Sequence, residues 1–339
     1  MSTPPTAQAS SALALPVTDP ALERRLRGRL DLVEKSLAEH VVSKAPFVTE
    51  AASHLLAAGG KRFRPLLVLL TAETGPRPDA EEVLTAAAAV ELVHLASLYH
   101  DDVMDEALVR RGADSANARW DNHVAILTGD FLFARSSELT AELGPEGVRI
   151  QAETFARLVE GQILETMPVP EGTDPVAHHL EVLAGKTGAL LATSARYGAL
   201  FSGAPEEITR VLTEYGEIVG TAFQISDDIL DIASEADESG KTPGTDLREG
   251  VPTLPVLFAR RAARPEDARL LELLDADLTD DALLAEALDL LRAHPAMTEA
   301  REYVVAEAAR AKQLLHALPD GPVRAALEAF ADIVAVRSA

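Results

Sequence analysis

The 339-residue chain has no cysteine, which excludes disulfides, thiolate-bound zinc, iron–sulfur clusters and thiol catalysis. Aromatic residues are scarce, at 4% with a single tryptophan, although hydrophobic residues reach 47%. An apolar fraction rich in alanine and leucine suits helices, because β-sandwiches draw on aromatic and β-branched side chains. Positive charge is the minority: 31 Lys and Arg against 54 Asp and Glu leave −23. Such a chain is ill suited to a nucleic-acid backbone or to the surface of an anionic bilayer. Long apolar runs are missing too. Leu66 to Leu70 and Ala86 to Val90 fall far short of the roughly 20 residues of a spanning helix. The start of the chain has no basic segment followed by an apolar core. Residues 1–20, with Pro4, Pro5, Pro16 and Pro20 among small polar residues, read as a disordered tail, and the expected location is the cytoplasm.

What is present is helical periodicity. It begins at Ala21 and predicts helices at about 21–44, 47–58, 64–74, 79–104, 114–122, 124–142, 147–165, 174–202 and 205–234, with five more to residue 337. Gly59-Gly60, Gly75-Pro76, Gly144-Pro145 and Pro205 punctuate them. No segment alternates as a strand should, and the loops are short. The expected fold is therefore all-α, a single helical bundle over residues 21–339. Val83 to Tyr99 and Val219 to Ile232 are apolar on several faces, which suits helices at the centre of a bundle.

Each of these two helices nevertheless ends in aspartates: Asp101-Asp102-Val103-Met104-Asp105 and Asp227-Asp228-Ile229-Leu230-Asp231. On a helix, positions i and i+4 share a face, so Asp101 pairs with Asp105 and Asp227 with Asp231. The middle aspartate is turned away by about 100°. Paired like charges destabilise a helix, and near an apolar core they call for a cation. A single acidic triplet is usually a solvated helix end; two identical ones, each closing an apolar helix, point to a hard divalent ion such as Mg²⁺. The scarce bases fall near the same places. Gly59-Gly60-Lys61-Arg62-Phe63-Arg64-Pro65, Arg110-Arg111-Gly112, Gly185-Lys186-Thr187-Gly188 and Lys241-Thr242-Pro243-Gly244 all contain them. A site for a Mg²⁺-diphosphate needs both signs of charge, because the anion is only partly neutralised by metal. His94, seven residues before Asp101, lies on the same helical stripe.

In this order, G-G-K-R-x-R-P at 59–65, D-D-x-x-D at 101–105, R-R-G at 110–112, G-K-T at 185–187, F-Q-x-x-D-D-x-x-D at 223–231 and G-K at 240–241 resemble the all-trans isoprenyl diphosphate synthases (the polyprenyl synthetase family). The resemblance implies a helical bundle around a deep central cavity and a homodimer. It also implies condensation of isopentenyl diphosphate with an allylic diphosphate to an all-trans polyprenyl diphosphate. Lys61, Arg64, His94 and Arg111 would hold the isopentenyl diphosphate. Asp101, Asp105, Asp227 and Asp231 would hold three Mg²⁺ ions (or Mn²⁺) on the allylic diphosphate. Arg110, Lys186, Lys241 and Gln224 would complete the allylic site, with Thr187 beside the reacting carbons. One departure is visible: Gly250-Val251-Pro252-Thr253 stands where many relatives have G-K-x-T.

Product length is expected to depend on the residues before Asp101, along which a growing tail would run. Ala96 stands where short-chain members often carry a bulky aromatic, with Ser97 beside it and Val93 about a turn deeper. These small side chains predict a long product, about six or more isoprene units, and Ala96→Phe is expected to shorten it. The alternative is that Ala96 only packs against another helix while Tyr99, Phe131, Phe133 or Phe155 closes the tunnel, which would suit a farnesyl or geranylgeranyl product. A terpene cyclase would not need the second D-D-x-x-D or the Gly59–Pro65 segment, and a non-catalytic subunit of a two-component synthase would not need two intact clusters.

Overall fold

The computed structural model describes Leu13, residues 17–234 and residues 243–337. Most of the expected N-terminal tail, and Lys241 with Gly240, lie outside the described residues. The chain is helical as expected: α1 (Pro20–His40), α2 (Pro46–Ala57), α3 (Phe63–Ala72), α4 (Glu81–Met104), α5 (Ala116–Arg119), α6 (Asn122–Glu142), α7 (Gly144–Thr166), α8 (Pro175–Leu183), α9 (Ala189–Ser202) and α10 (Glu206–Ala233). Further helices include Leu254–Ala262, Asp281–Ala293, Pro295–Leu314 and Pro322–Arg337. Local chemistry sets many starts. The Asp19 carboxylate accepts from the Ala21 and Leu22 N–H groups at 3.0 and 2.7 Å ahead of Pro20, and Asp121 caps Val124 at 2.9 Å. Gly203, in the left-handed region at φ 81°, ends α9.

Helix α4 sits at the centre, flanked by α1, α3, α6 and α9, while α9 also packs along α10. From Ala86 onward, the only positions of α4 before its aspartates that are not buried are His94, Ser97, Leu98 and His100. Helix α4 is long and apolar enough to cross a membrane, but most of it is buried within the bundle. Helix α10 departs from the all-round apolar expectation. Beside its buried face it keeps a partly exposed stripe through Glu217, Thr221, Gln224, Asp227 and Asp231, spaced as one side of a helix.

Two local expectations are corrected. The helix expected over 114–122 is only α5, and before it stands a minimal antiparallel hairpin, β1 (Val109–Arg110) with β2 (Ala113–Asp114). Its two-residue loop is Arg111-Gly112, with φ of 55° and 77°, the left-handed pair that a type I′ turn demands. The long helix expected over 174–202 is interrupted by a π-helical turn, Ala184–Gly188, between α8 and α9. Glycine at 185 and 188 lets neighbours come close. A Cβ on Gly185 would stand 2.9 Å from the Arg157 carbonyl oxygen, and one on Gly188 2.8 Å from Thr221 Oγ1. Turns of this kind often mark functional positions, and this one carries Lys186 and Thr187.

Candidate active site

The acidic ends of α4 and α10 come to one mouth. Lys186 Nζ bonds Glu165 on α7 at 2.6 Å and feels the charges of Asp101 and Asp105. Glu249 feels Asp105 from one cluster and Asp231 from the other, together with Lys186 and Glu165. The returning chain docks here too, with the Asp246 N–H donating to Asp231 Oδ2 at 3.2 Å. Burial pushes the Asp101 carboxyl up to about 6 against the pull of Lys186. Burial and the Asp231 charge push Asp246 up to about 7. Among the described residues no three carboxylates or imidazoles are close enough to hold an ion unaided. The donors present are all hard oxygens, as Mg²⁺ prefers.

The middle aspartates lie off this face, as the helical rotation requires. Asp102 is fully buried and accepts from Arg110 Nε at 2.6 Å, so Arg110, expected in the allylic site, is held by the protein itself. Asp228 is also buried and accepts from Gln224 Nε2 at 3.0 Å. Gln224 Oε1 in turn accepts from Thr187 Oγ1 at 3.1 Å. The expected pair Thr187 and Gln224 are thus joined directly. Val251 follows the turn that bears Asp246, whose carbonyl accepts its N–H at 2.8 Å.

Of the expected isopentenyl diphosphate set, Arg64 on α3, His94 on α4 and Arg111 in the hairpin feel one another's charge. Arg64 is half-buried, and its Nε is buried and unpartnered. Arg111 Nη1 donates to the carbonyls of Leu55, at 3.2 Å, and Gly59 at the end of α2. The charges of Arg64 and Arg111, added to burial, push His94 well below its usual range. It is therefore a neutral imidazole between guanidiniums. Lys61 is exposed, its Nζ 5.8 Å from the Phe63 ring centre. Arg62, absent from the expected set, supports it: at φ 50° it turns inward to pair with Glu34 and, at 3.1 Å, with Glu91 on α4. Glu91 is 1% exposed. Arg62→Ala would leave it only the more distant charges of Arg64 and Arg111, and should destabilise the protein by up to about 3–5 kcal/mol in denaturant unfolding; a loss below about 1 kcal/mol would contradict a buried pair.

Below Asp101 lies an apolar cavity of about 370 Å³ between α4, α6 and α7, lined by Ser97, Asp101, Met104, Phe133, Phe155 and Ile163 among others. A second, of about 250 Å³, continues deeper and includes Val93, Phe133 and Phe155. The two phenylalanines tilt against each other with centres 4.6 Å apart and separate the cavities. Ser97 and Val93 therefore line these cavities. Ala96 has no exposed surface, and its carbonyl oxygen would be 3.1 Å from a Cβ on Gly129 of α6. Tyr99 is tied into the core by donating to the Ala51 carbonyl at 2.5 Å, and Phe131 lies under the Arg135 guanidinium. A larger cleft, about 900 Å³, lies beyond α9 and α10 and contains none of the motif residues.

An apolar shaft capped by facing carboxylates and flanked by guanidiniums defines a helical enzyme that handles an isoprenoid diphosphate. Residues 45–291 match the polyprenyl synthetase family. The chain is 50% identical over 319 residues to nonaprenyl diphosphate synthase of Mycobacterium tuberculosis (strain ATCC 25618 / H37Rv), covering 94% of this chain and 95% of that one. Geranylgeranyl pyrophosphate synthase of Corynebacterium glutamicum, solved with calcium and isoprenyl diphosphate, superposes with TM-score 0.86 at 44% identity over 95% of this chain and 99% of that one. A decaprenyl diphosphate synthase from Rhodobacter capsulatus gives TM-score 0.84 at 34% identity over 94% and 99% of the two chains. The chain belongs to the polyprenyl synthetase family.

Residues that sequence reasoning missed are Glu165, Asp246, Glu249 and the Arg62–Glu91 pair. Each stands outside a recognisable motif or reaches its place through a long-range contact.

Proposed function

We infer that the chain is a trans-prenyltransferase that condenses isopentenyl diphosphate with an allylic diphosphate to a long all-trans polyprenyl diphosphate. The supporting observation is the meeting of both aspartate stripes at one mouth, directly above an apolar shaft that begins at Asp101 and Ser97. Asp101, Asp105, Asp227 and Asp231 would hold three Mg²⁺ ions, which neutralise charge growing on the departing diphosphate and so favour the transition state. Lys186 and Arg110, with Lys241 from outside the described residues, complete the allylic diphosphate's surroundings. Thr187 Oγ1 and Gln224 Oε1 set oxygen dipoles where the allylic cation forms. Lys61, Arg64, His94 and Arg111 grip the isopentenyl diphosphate and orient its double bond towards that cation, which supplies much of the rate by proximity. The proton released on forming the new double bond passes to the departing diphosphate.

Mass spectrometry of products from isopentenyl diphosphate, Mg²⁺ and primers of different length tests this. A ladder ending beyond five isoprene units is expected. Hydrocarbon from allylic diphosphate alone would refute the reading in favour of a cyclase. The Phe133–Phe155 partition supports a second reading, in which tails stop at a geranylgeranyl length, and the same ladder separates the two.

Residues 21–339 would form one cytoplasmic domain, and the chain a homodimer. Val148, Phe155, Val159 and Ile163, on the open side of the two cavities, are 46, 37, 38 and 55% exposed along α7, and a second copy would close that side. Val159→Glu with Ile163→Glu should convert a sedimenting dimer to monomer; wild-type protein that sediments as a monomer would contradict the assignment.

A further inference from the structure

Gln224 can serve the reacting carbons only if its amide is held one way round, with the oxygen towards Thr187. The acceptor that holds its NH₂ is Asp228 Oδ1, 3.0 Å away. Asp228 is buried, with three further carboxylates, Asp246, Asp227 and Glu165, around it. What faces its other oxygen is His179, on α8. The imidazole is 8% exposed, its Nε2 has no partner, and it lies 3.9 Å from Asp228 Oδ2. A buried ring nitrogen with no partner is costly, and the nearest remedy is that carboxylate. Contacts of this kind are often long in a ligand-free site and shorten when substrate closes it. The π-helical turn ties the two ends together, because α8 carries His179 directly into the turn that bears Thr187.

We propose that His179 is a positioning residue for the condensation: its Nε2–H steadies Asp228, which in turn fixes the Gln224 amide and, through it, the Thr187 hydroxyl. His179 touches no substrate. Its action runs along one line from α8 through the second aspartate of the α10 cluster to the dipoles beside the reacting carbon. This rests on the synthase reading above for its catalytic consequence, but not for the contact itself.

The test uses the full chain. His179→Phe keeps an aromatic ring and removes the donor; His179→Gln restores a side-chain N–H at similar reach. His179→Phe should lower kcat by about 10- to 100-fold, with KM for both diphosphates changed less than about 3-fold, and His179→Gln should recover most of the loss. Equal losses in both variants, or unchanged kcat in His179→Phe, would overturn the proposal. A second measurement needs neither metal nor substrate. In ¹⁵N-histidine-labelled protein, Asp228→Asn should shift the His179 ring-nitrogen signal. No shift would overturn the contact even if His179→Phe fails to fold. Absence of any wild-type product would instead sink the synthase reading and leave the spectroscopic result standing.

Discussion

Asp101→Asn should lower kcat/KM for condensation by at least about 10²–10³-fold, roughly 3–4 kcal/mol of transition-state stabilisation, while making the metal-free protein more stable at pH 8. Asp227→Asn should show the same loss of activity. The two effects have one origin. Asp101 is pushed up from 3.8 to about 6 chiefly by burial, so the folded protein prefers the neutral acid. A carboxyl raised in this way contributes stability below its unfolded value, and that stability is lost as pH rises through the folded one. The penalty for Asp101 is at most about 3 kcal/mol above pH 6. Asp246, raised to about 7, extends the window. The melting temperature of the metal-free chain should therefore fall between about pH 4 and pH 7 from these groups, by several degrees. Mg²⁺ with an allylic diphosphate should restore it at pH 8 by mass action. Calorimetry of wild type and Asp101→Asn at pH 5 and pH 8 checks the sign. A wild-type chain no less stable at pH 8 than at pH 5, with a variant that gains nothing at pH 8, would show that the clusters are ordinary solvated helix ends.

The second large effect concerns product length. Phe155→Ala should lengthen the product by at least one isoprene unit, because it removes half of the partition between the 370 Å³ and 250 Å³ cavities. Val93→Phe, at the deeper cavity, should cap the tail there; Ser97→Phe, in the upper one, should stop it earlier still. Ala96→Phe acts differently. Position 96 is fully buried and lines neither cavity, so a phenylalanine there has to displace packed neighbours before it can narrow the shaft, at a cost of about 1–3 kcal/mol. Product ladders for the four variants, read beside their melting temperatures, separate a lining residue from a packing one. An unchanged ladder in both Phe155→Ala and Val93→Phe would mean that the tail runs elsewhere.

Much of the site was legible in the linear chain because its spacing is helical. Asp101 and Asp105 on one face, His94 two turns behind them, and Gln224, Asp227 and Asp231 along one stripe all follow from 3.6 residues per turn. The all-α class followed from the same periodicity, and the rotation of Asp102 and Asp228 off the faces shared by Asp101 with Asp105 and Asp227 with Asp231 is local geometry as well. Tertiary structure decided what those rotated carboxylates meet: Arg110 returning from a hairpin in one case, and Gln224 with His179 from α8 in the other. It also decided that Arg111-Gly112 turns a hairpin, that Gly185 and Gly188 open a π-helical turn, and that Phe133 and Phe155, from different helices, divide the shaft. None of these carries a periodic signature. Each depends on surfaces brought together across the bundle, where close packing rather than local spacing sets the partner.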